Sequence, residues 1–398
     1  MSCLLSREEN MIRCAYKLCF AVVGMCFSVF SPDIAAMAQS VPTIQEIAAV
    51  WKARQDDTPS ARFEWTETLL IPKGAKPALR ALQGARMEVS GADPEPLPLA
   101  DTRLECSVTY ILSRSMLRIN RDGSYWQTVH GRVEQNRYVN TFDGEVSKEF
   151  FDERTTDELH GFIWKDNRNK QANNPTYLPM ALAFRPCDID MGGLHLEDYR
   201  VSPSVETING CACVVLSPKT PGDAGEGRTI WLDPNRGFLA LRTQDVAIKR
   251  GRITTYDISY EKDHSHRWVP SQWKSVATGG HTGCLFEEAV AKVTRYTINS
   301  DIPRSEFQLE FPAGTYVSDY KKANAEDYIV RDGGAKRIVT SAEFARGAGG
   351  DYRELLNTES GMARRNLFGS GAVRLVIILV SAVVICAAVF YFRRLRRI

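Results

Sequence analysis

The sequence predicts a mainly β protein: a single large curved antiparallel sheet, open or half-barrel, with a few short helices and one C-terminal transmembrane helix. Three observations predict it. Segment after segment alternates apolar and polar residues with period two, the pattern of a strand wet on one face and buried on the other. Turn-forming pairs such as Asp143-Gly144 and Asn209-Gly210 separate those segments. The chain then closes on an apolar run, Leu375 to Phe392, interrupted only by Ser381.

Near the N-terminus a basic stretch with Arg13 and Lys17 leads into an apolar run from Leu18 to Phe30, and Ala36-Met37-Ala38 precedes Gln39. Residues 1–38 therefore read as a secretory signal peptide with an A-x-A cleavage site. Glu8 and Glu9 sit poorly in such a leader, so Met11 makes a cleaner start than Met1. The exported portion, 39–332, is expected to hold the β domain. It opens with Thr43 and Glu46 at capping-box spacing, followed by Ile44, Ile47, Ala48 and Trp51 on one helical face.

Strands follow. "RFEWTETLLI" sets Phe63, Trp65, Leu69 and Ile71 against Arg62, Glu64, Thr66 and Thr68. "RLECSVTYIL" sets Leu104, Cys106, Val108, Tyr110 and Leu112 against Arg103, Glu105, Ser107 and Thr109. "SEFQLEF" alternates Phe307, Leu309 and Phe311 with Gln308 and Glu310 and reads as a further strand. A hairpin is expected at "NTFDGEVSKEFF", and strand–turn–strand at "RTIWLDPNRGFLALRTQ". "RITTYDISYE", "RWVPSQWKSV" and "AKVTRYTIN" complete some ten to twelve strands. The Pro- and Ala-rich stretch 72–102 reads as a long loop, and 173–184 as a short apolar helix or turn. Glycine-rich residues 333–371 suggest a juxtamembrane stalk.

The final run, extended to 372–392, is long enough to span a bilayer as a helix, at about 1.5 Å per residue against about 30 Å of hydrocarbon. Arg393, Arg394, Arg396 and Arg397 make 393–398 a basic cytoplasmic tail. The expected placement is single-pass in the cytoplasmic membrane, with the bulk of the chain on the periplasmic or extracytoplasmic side.

Charge narrows the function. The formal charge of +2 hides an acidic exported portion: residues 1–38 are neutral, and 364–398 carry seven arginines and no acid. No basic tract is left to bind nucleic acid. Five cysteines (Cys106, Cys187, Cys211, Cys213, Cys284) fall in the exported portion. One bridge, for instance Cys187 with Cys211 or Cys213, and free buried thiols are both open.

No catalytic constellation, metal site or cofactor motif is read. His264-Ser265-His266 could in principle offer two imidazoles, but "EKDHSHRW" reads as a polar loop between strands. Glu67 breaks the apolar face of its strand, where a structural partner such as an arginine or a ligand would account for it. The aromatics are the more suggestive feature: on the concave face of a curved sheet they would either fill a core or line a cavity for a greasy ligand. The candidate ligand face is Phe63, Trp65, Leu104, Val108, Tyr110, Phe307 and Leu309.

A leader, a short helix, the "RFEWTETLLI" strand and hairpins of the "TFDGEVSKEFF" and "TIWLDPNRGFLALRTQ" type together resemble the bacterial lipoprotein-carrier family (LolA/LolB-like) over about residues 43–311. The resemblance implies an unclosed barrel whose apolar concavity holds acyl chains under short helices. The expected role is a non-catalytic, membrane-tethered envelope protein binding a lipid, lipoprotein or other apolar ligand. The alternative is an envelope sensor or scaffold that contacts another protein.

Overall fold

A computed structural model of the chain describes residues 41–75, 97–127, 131–155, 157–165, 177–188, 191, 193–220, 227–247, 251–280, 282–321, 325–343, 352 and 355. The expected signal peptide, transmembrane helix and basic tail lie outside the described residues. No helix among the described residues is long and apolar enough to cross a membrane.

Helix α1 (Ile44–Asp56) begins at the anticipated capping box: Thr43 Oγ1 accepts from Glu46 N, and Glu46 Oε2 accepts from Thr43 N. Strands β1 (Ser60–Ile71), β2 (Thr102–Ser113), β3 (Met116–Gln127), β4 (Arg132–Phe142), β5 (Val146–Glu153) and β6 (Glu158–Lys165) then run as an antiparallel meander. Helix α2 (Leu178–Phe184) follows, with Pro179 in its first turn, where a missing N–H costs nothing. The second meander is β7 (Tyr199–Ile208), β8 (Cys211–Pro218), β9 (Gly227–Asp233), β10 (Leu239–Ala247), β11 (Arg252–Lys262), β12 (Trp268–Gly279) and β13 (Leu285–Ile298). Three short strands end the described chain: β14 (Tyr316–Tyr320), β15 (Glu326–Val330) and β16 (Lys336–Ile338).

All sixteen strands join one sheet in the order β16-β15-β14-β6-β5-β4-β3-β2-β1-β13-β12-β11-β10-β9-β8-β7. The first and last strands do not meet, so the sheet is open. β1 pairs with β13 and stitches the two meanders together. Every pairing is antiparallel except β14 with β6, because β14 arrives by a crossover instead of a hairpin.

The turns form where their chemistry dictates. Asp233 accepts from Asn235 N, Pro234–Arg236 make one 3-10 turn, and Gly237 takes the left-handed conformation (φ 63°) that lets the chain reverse into β10.

The sheet curls around the helices. β1 and β10 are four strands apart in the sheet, about 19 Å if it were flat at about 4.8 Å per strand. The single short α2 nonetheless touches both sides: Phe184 packs on Phe63 of β1 at 5.0 Å between ring centroids, and the helix packs against β10 and β12. Inward residues therefore form one large core holding Phe63, Trp65, Val108, Tyr110, Ile119, Leu216, Ile230, Ile258 and Trp273 with Trp51 of α1 and most of α2. Each large apolar side chain fully buried there contributes about 1.5–3 kcal/mol.

Three expectations change. "SEFQLEF" is not a strand: Arg304–Phe307 is a 3-10 turn and Gln308–Phe311 pairs with no strand. This segment carries the chain from β13 to β14 across the outer face, where Leu309 packs on Val139 and Phe150. Lys148 Nζ fastens it by donating to Leu309 O at 2.8 Å, and Arg118 Nη1 by donating to Glu306 O at 2.8 Å. Alternation misled because a linker lying on a sheet also buries every second residue. Secondly, strands number sixteen among the described residues, against the ten to twelve expected. Thirdly, residues expected to begin the stalk belong to the fold: β16 pairs with β15, and Tyr352 Oη both donates to Leu159 O and accepts from Leu159 N.

Beyond β16, Arg337 Nη2 lies 2.7 Å from Glu343 Oε1, and Thr340 N donates to Glu343 Oε2. Arg337, and then Thr340, hold the Glu343 carboxyl at about 2 against an ordinary 4.5. A folded-state pKa below the unfolded one gives stability that is fully present above about pH 4.5 and lost as pH falls towards 2. Glu343→Gln is expected to flatten this part of the acid-unfolding profile, followed by hydrogen exchange of the β15–β16 amides between pH 2 and 6.

Candidate functional site

Two arginines close the apolar half of the inner face. Arg185, at the C-terminal end of α2, is 2 % exposed. Its Nη1 donates to Thr58 O and Phe184 O, its Nη2 to Pro59 O and its Nε to Arg114 O. Arg54 of α1 donates to Gly237 O at 2.8 Å and Leu182 O at 3.3 Å, and burial pushes its pKa down to about 10, still charged at neutral pH. Trp51 Nε1 adds a bond to Phe238 O at 2.7 Å. A guanidinium offers five N–H donors in a rigid planar fork, against three on an ammonium, and so can satisfy several carbonyls in fixed directions. Both helices are thus pinned to the strand ends, and under them lies packed core. The rings of Trp65, Trp273 and Tyr177 meet edge-on at 5.1 and 6.3 Å.

The other half of the inner face is different in kind. Register places Trp65, Val108, Arg121, Tyr138 and Phe151 in one cross-strand row, and Glu67, Cys106, Gly123, Asn136 and Glu153 in the next. A third row holds Phe63, Tyr110, Ile119, Asn140 and Glu149. Charged and amide groups stand among the apolar side chains of these rows: Glu67 on β1, Arg121 on β3, Asn136 and Asn140 on β4 and Glu149 on β5. They stay buried: Glu67 is 2 % exposed, Arg121 4 % and Asn140 0 %.

In this strip Arg121 Nε donates to Cys106 Sγ at 3.1 Å, and Arg121 Nη2 stands 3.9 Å from Glu67 Oε1. Asn140 Nδ2 donates to Glu149 Oε1 at 3.4 Å. Burial, and then the neighbouring Glu149, push the Tyr138 phenol well above its usual range, so it stays protonated. Glu134 accepts from Tyr125 Oη and Arg132 Nε at the margin. Burying charge is costly unless each group is paired, so such a strip on an otherwise apolar face marks a candidate site.

Of the residues singled out from sequence, Phe63, Trp65, Val108 and Tyr110 meet in the packed core. Leu104 lies on the same sheet face but in a small separate cluster with Leu69, Ile71, Ala75 and Ala289. Phe307 and Leu309 are not in this core: the crossover packs Leu309 on the outer side with Val139 and Phe150, and Phe307 lies in the 3-10 turn that packs against β3. The sequence reading missed Arg121, Tyr138, Asn140 and Glu149. Glu67 was their one visible sign, and an arginine does stand beside it.

Among the described residues no three His, Cys, Asp or Glu are grouped to hold a metal ion. Asp263 beside His264 and His266 is occupied by its own turn, accepting from Ser265 N, Arg267 N and Arg267 Nε. The five described cysteines are free thiols.

No protein-family model and no curated protein sequence matches the chain. Solved structures similar to it include a DUF1329 family protein from Desulfovibrio piger (12 % identity, 66 % of this chain and 97 % of that one, TM-score 0.30). A LolA superfamily protein from Nitrosomonas europaea is another (10 % identity, 67 % and 98 % coverage, TM-score 0.33). The family that the sequence resembles is thus among these neighbours. At such TM-scores the superpositions carry no weight, and the fold rests on strand order and register.

Proposed function

We propose that this chain is a non-catalytic, membrane-tethered envelope protein whose β domain holds an amphiphile, a lipid or lipoprotein, against the inner face of its sheet. The observation that carries the reading is the border on that face where apolar Trp65 and Val108 adjoin the buried Glu67 and Arg121. A purely greasy ligand has no use for a buried guanidinium and carboxylate. An amphiphile has a part for each side of the boundary. Tethering follows from the apolar run 372–392 and export from the leader, both read from sequence.

The test is photo-cross-linking of the full chain in its own membrane with a diazirine-bearing phospholipid, followed by peptide mapping. Label is expected on the peptides carrying Phe63–Ile71 and Leu104–Leu112. Label confined to 372–392 would reject ligand holding, and a defined protein adduct in its place would favour the sensor or scaffold alternative.

A further inference from the structure

Resting on that reading, we infer that an aromatic ladder on β6 and β14 lies in the headgroup layer of the bilayer that anchors this chain. The row beginning at Phe63 continues past Glu149 to Phe162 and Ser318. The adjoining row runs Ala61, Leu112, Leu117, Phe142, Ser147, Trp164 and Tyr320. Trp164 and Tyr320 stack with ring centroids 4.3 Å apart and planes 9° apart, and Phe162 stands 6.4 Å from Trp164 at 15°. From Ala61 to Ser147 no member of the row is more than 5 % exposed, whereas Tyr320 is 40 % exposed and Trp164 is half-buried. The packed core takes in Phe142 and stops short of the ladder. Contiguous apolar surface left open marks an interaction site.

Two observations favour a lipid surface as its occupant. The first is where the chain leaves the fold. Tyr352 is tied through its hydroxyl to Leu159 of β6, and its ring packs on His160 at 5.5 Å and Tyr316 at 5.4 Å. His160 and Tyr316 share the strands and the face of Trp164 and Tyr320, four positions away, or about 13 Å. Leu355 packs in the same cluster. Sixteen residues, 356–371, then separate it from the expected span, at most about 55 Å when fully extended. The tether thus holds this side of the sheet within reach of the bilayer. The second observation is chemical. Trp and Tyr, each an apolar ring with a polar tip, settle at headgroup level. Lys165 and Lys321 follow the ladder residues directly and are exposed, Lys321 beside Asp319 at 3.3 Å. An ammonium on a long apolar stem beside such rings can reach lipid phosphates.

The test is contact quenching of tryptophan. The full chain is reconstituted in phosphatidylcholine vesicles in which part of the lipid carries bromine near the headgroup end of its acyl chains. Wild type is expected to lose emission, and Trp164→Phe, which keeps a ring in the stack, to lose that quenching with its urea midpoint unchanged. Tyr320→Ser leaves Trp164 in place and should weaken the quenching. Trp51, Trp65, Trp231 and Trp273 are buried and give the same background throughout. Equal quenching of wild type and Trp164→Phe overturns the contact. Trp164 quenched as fully by one brominated lipid per chain in unbrominated detergent overturns it too, placing a held ligand at the ladder and leaving amphiphile holding intact. No quenching, with chain-to-chain cross-links through Tyr320, overturns it in favour of a second copy. A chain that does not float with the vesicles overturns the tether, and with it the underlying reading.

Discussion

Arg185→Ala is expected to lower stability by roughly 3–5 kcal/mol, one of the two largest effects predicted for any single side chain here. Four carbonyls, from Thr58, Pro59, Arg114 and Phe184, lose one shared donor together. A hydrogen bond to a charged group contributes about 1.5–3 kcal/mol, and each buried carbonyl left without a donor costs about 1–3 kcal/mol. The sum would be larger, but local rearrangement and water entry recover part of it. Arg185→Lys keeps the charge without the fork, and is expected to forfeit about half as much. The readout is the urea midpoint of the full chain in mild detergent, followed by tryptophan fluorescence, with the slope unchanged. Arg62→Ala, whose side chain is 44 % exposed, serves as the control and should stay within about 0.5 kcal/mol. A loss below about 1 kcal/mol for Arg185→Ala would mean that α2 is held by apolar packing alone.

The same clamp explains why part of the molecule was legible in the sequence and part was not. Phe63, Trp65, Val108 and Tyr110 could be assigned to one buried face because their strands alternate oil with polarity, and the structure packs all four beneath α2. The α1 start and the Asp233–Gly237 reversal were legible for a similar reason: local hydrogen bonds fix them whatever lies around them. β3 and β4 were not, since "MLRINRDGSYWQ" and "RVEQNRYVNTF" turn Arg121, Asn136, Asn140 and Glu134 inward. A search for oil at every second position cannot register a face that is buried and polar. Phe307 and Leu309 show the converse failure. Their alternation is real and both are buried, but the face is decided by a crossover that no local pattern encodes.

Stability and the proposed site meet at a second position, where no side chain exists. Gly123 lies in the row of Glu67 and Cys106, two residues along β3 from Arg121. A Cβ added there would stand 2.3 Å from Glu105 O and 2.5 Å from Cys106 Cα, and the backbone φ of +153° is one that L-residues rarely adopt. Both obstacles are main chain, so no rotamer change relieves them: β2 and β3 would have to part. Gly123→Ala is therefore expected to cost about 4 kcal/mol or more, combining backbone strain of about 1–3 kcal/mol with overpacking of a similar size. Gly161→Ala provides the contrast. Its Cβ would meet the Phe311 ring at 2.8 Å, the far end of a side chain that can turn, and about 1–2 kcal/mol is expected. Gly210→Ala meets nothing within 4 Å and carries only its positive φ of 80°, for about 1 kcal/mol. Urea midpoints should fall in that order. If Gly123→Ala proves no worse than Gly161→Ala, the close approach of β2 to β3 is wrong, and with it the geometry that sets Arg121 beside Cys106 and Glu67.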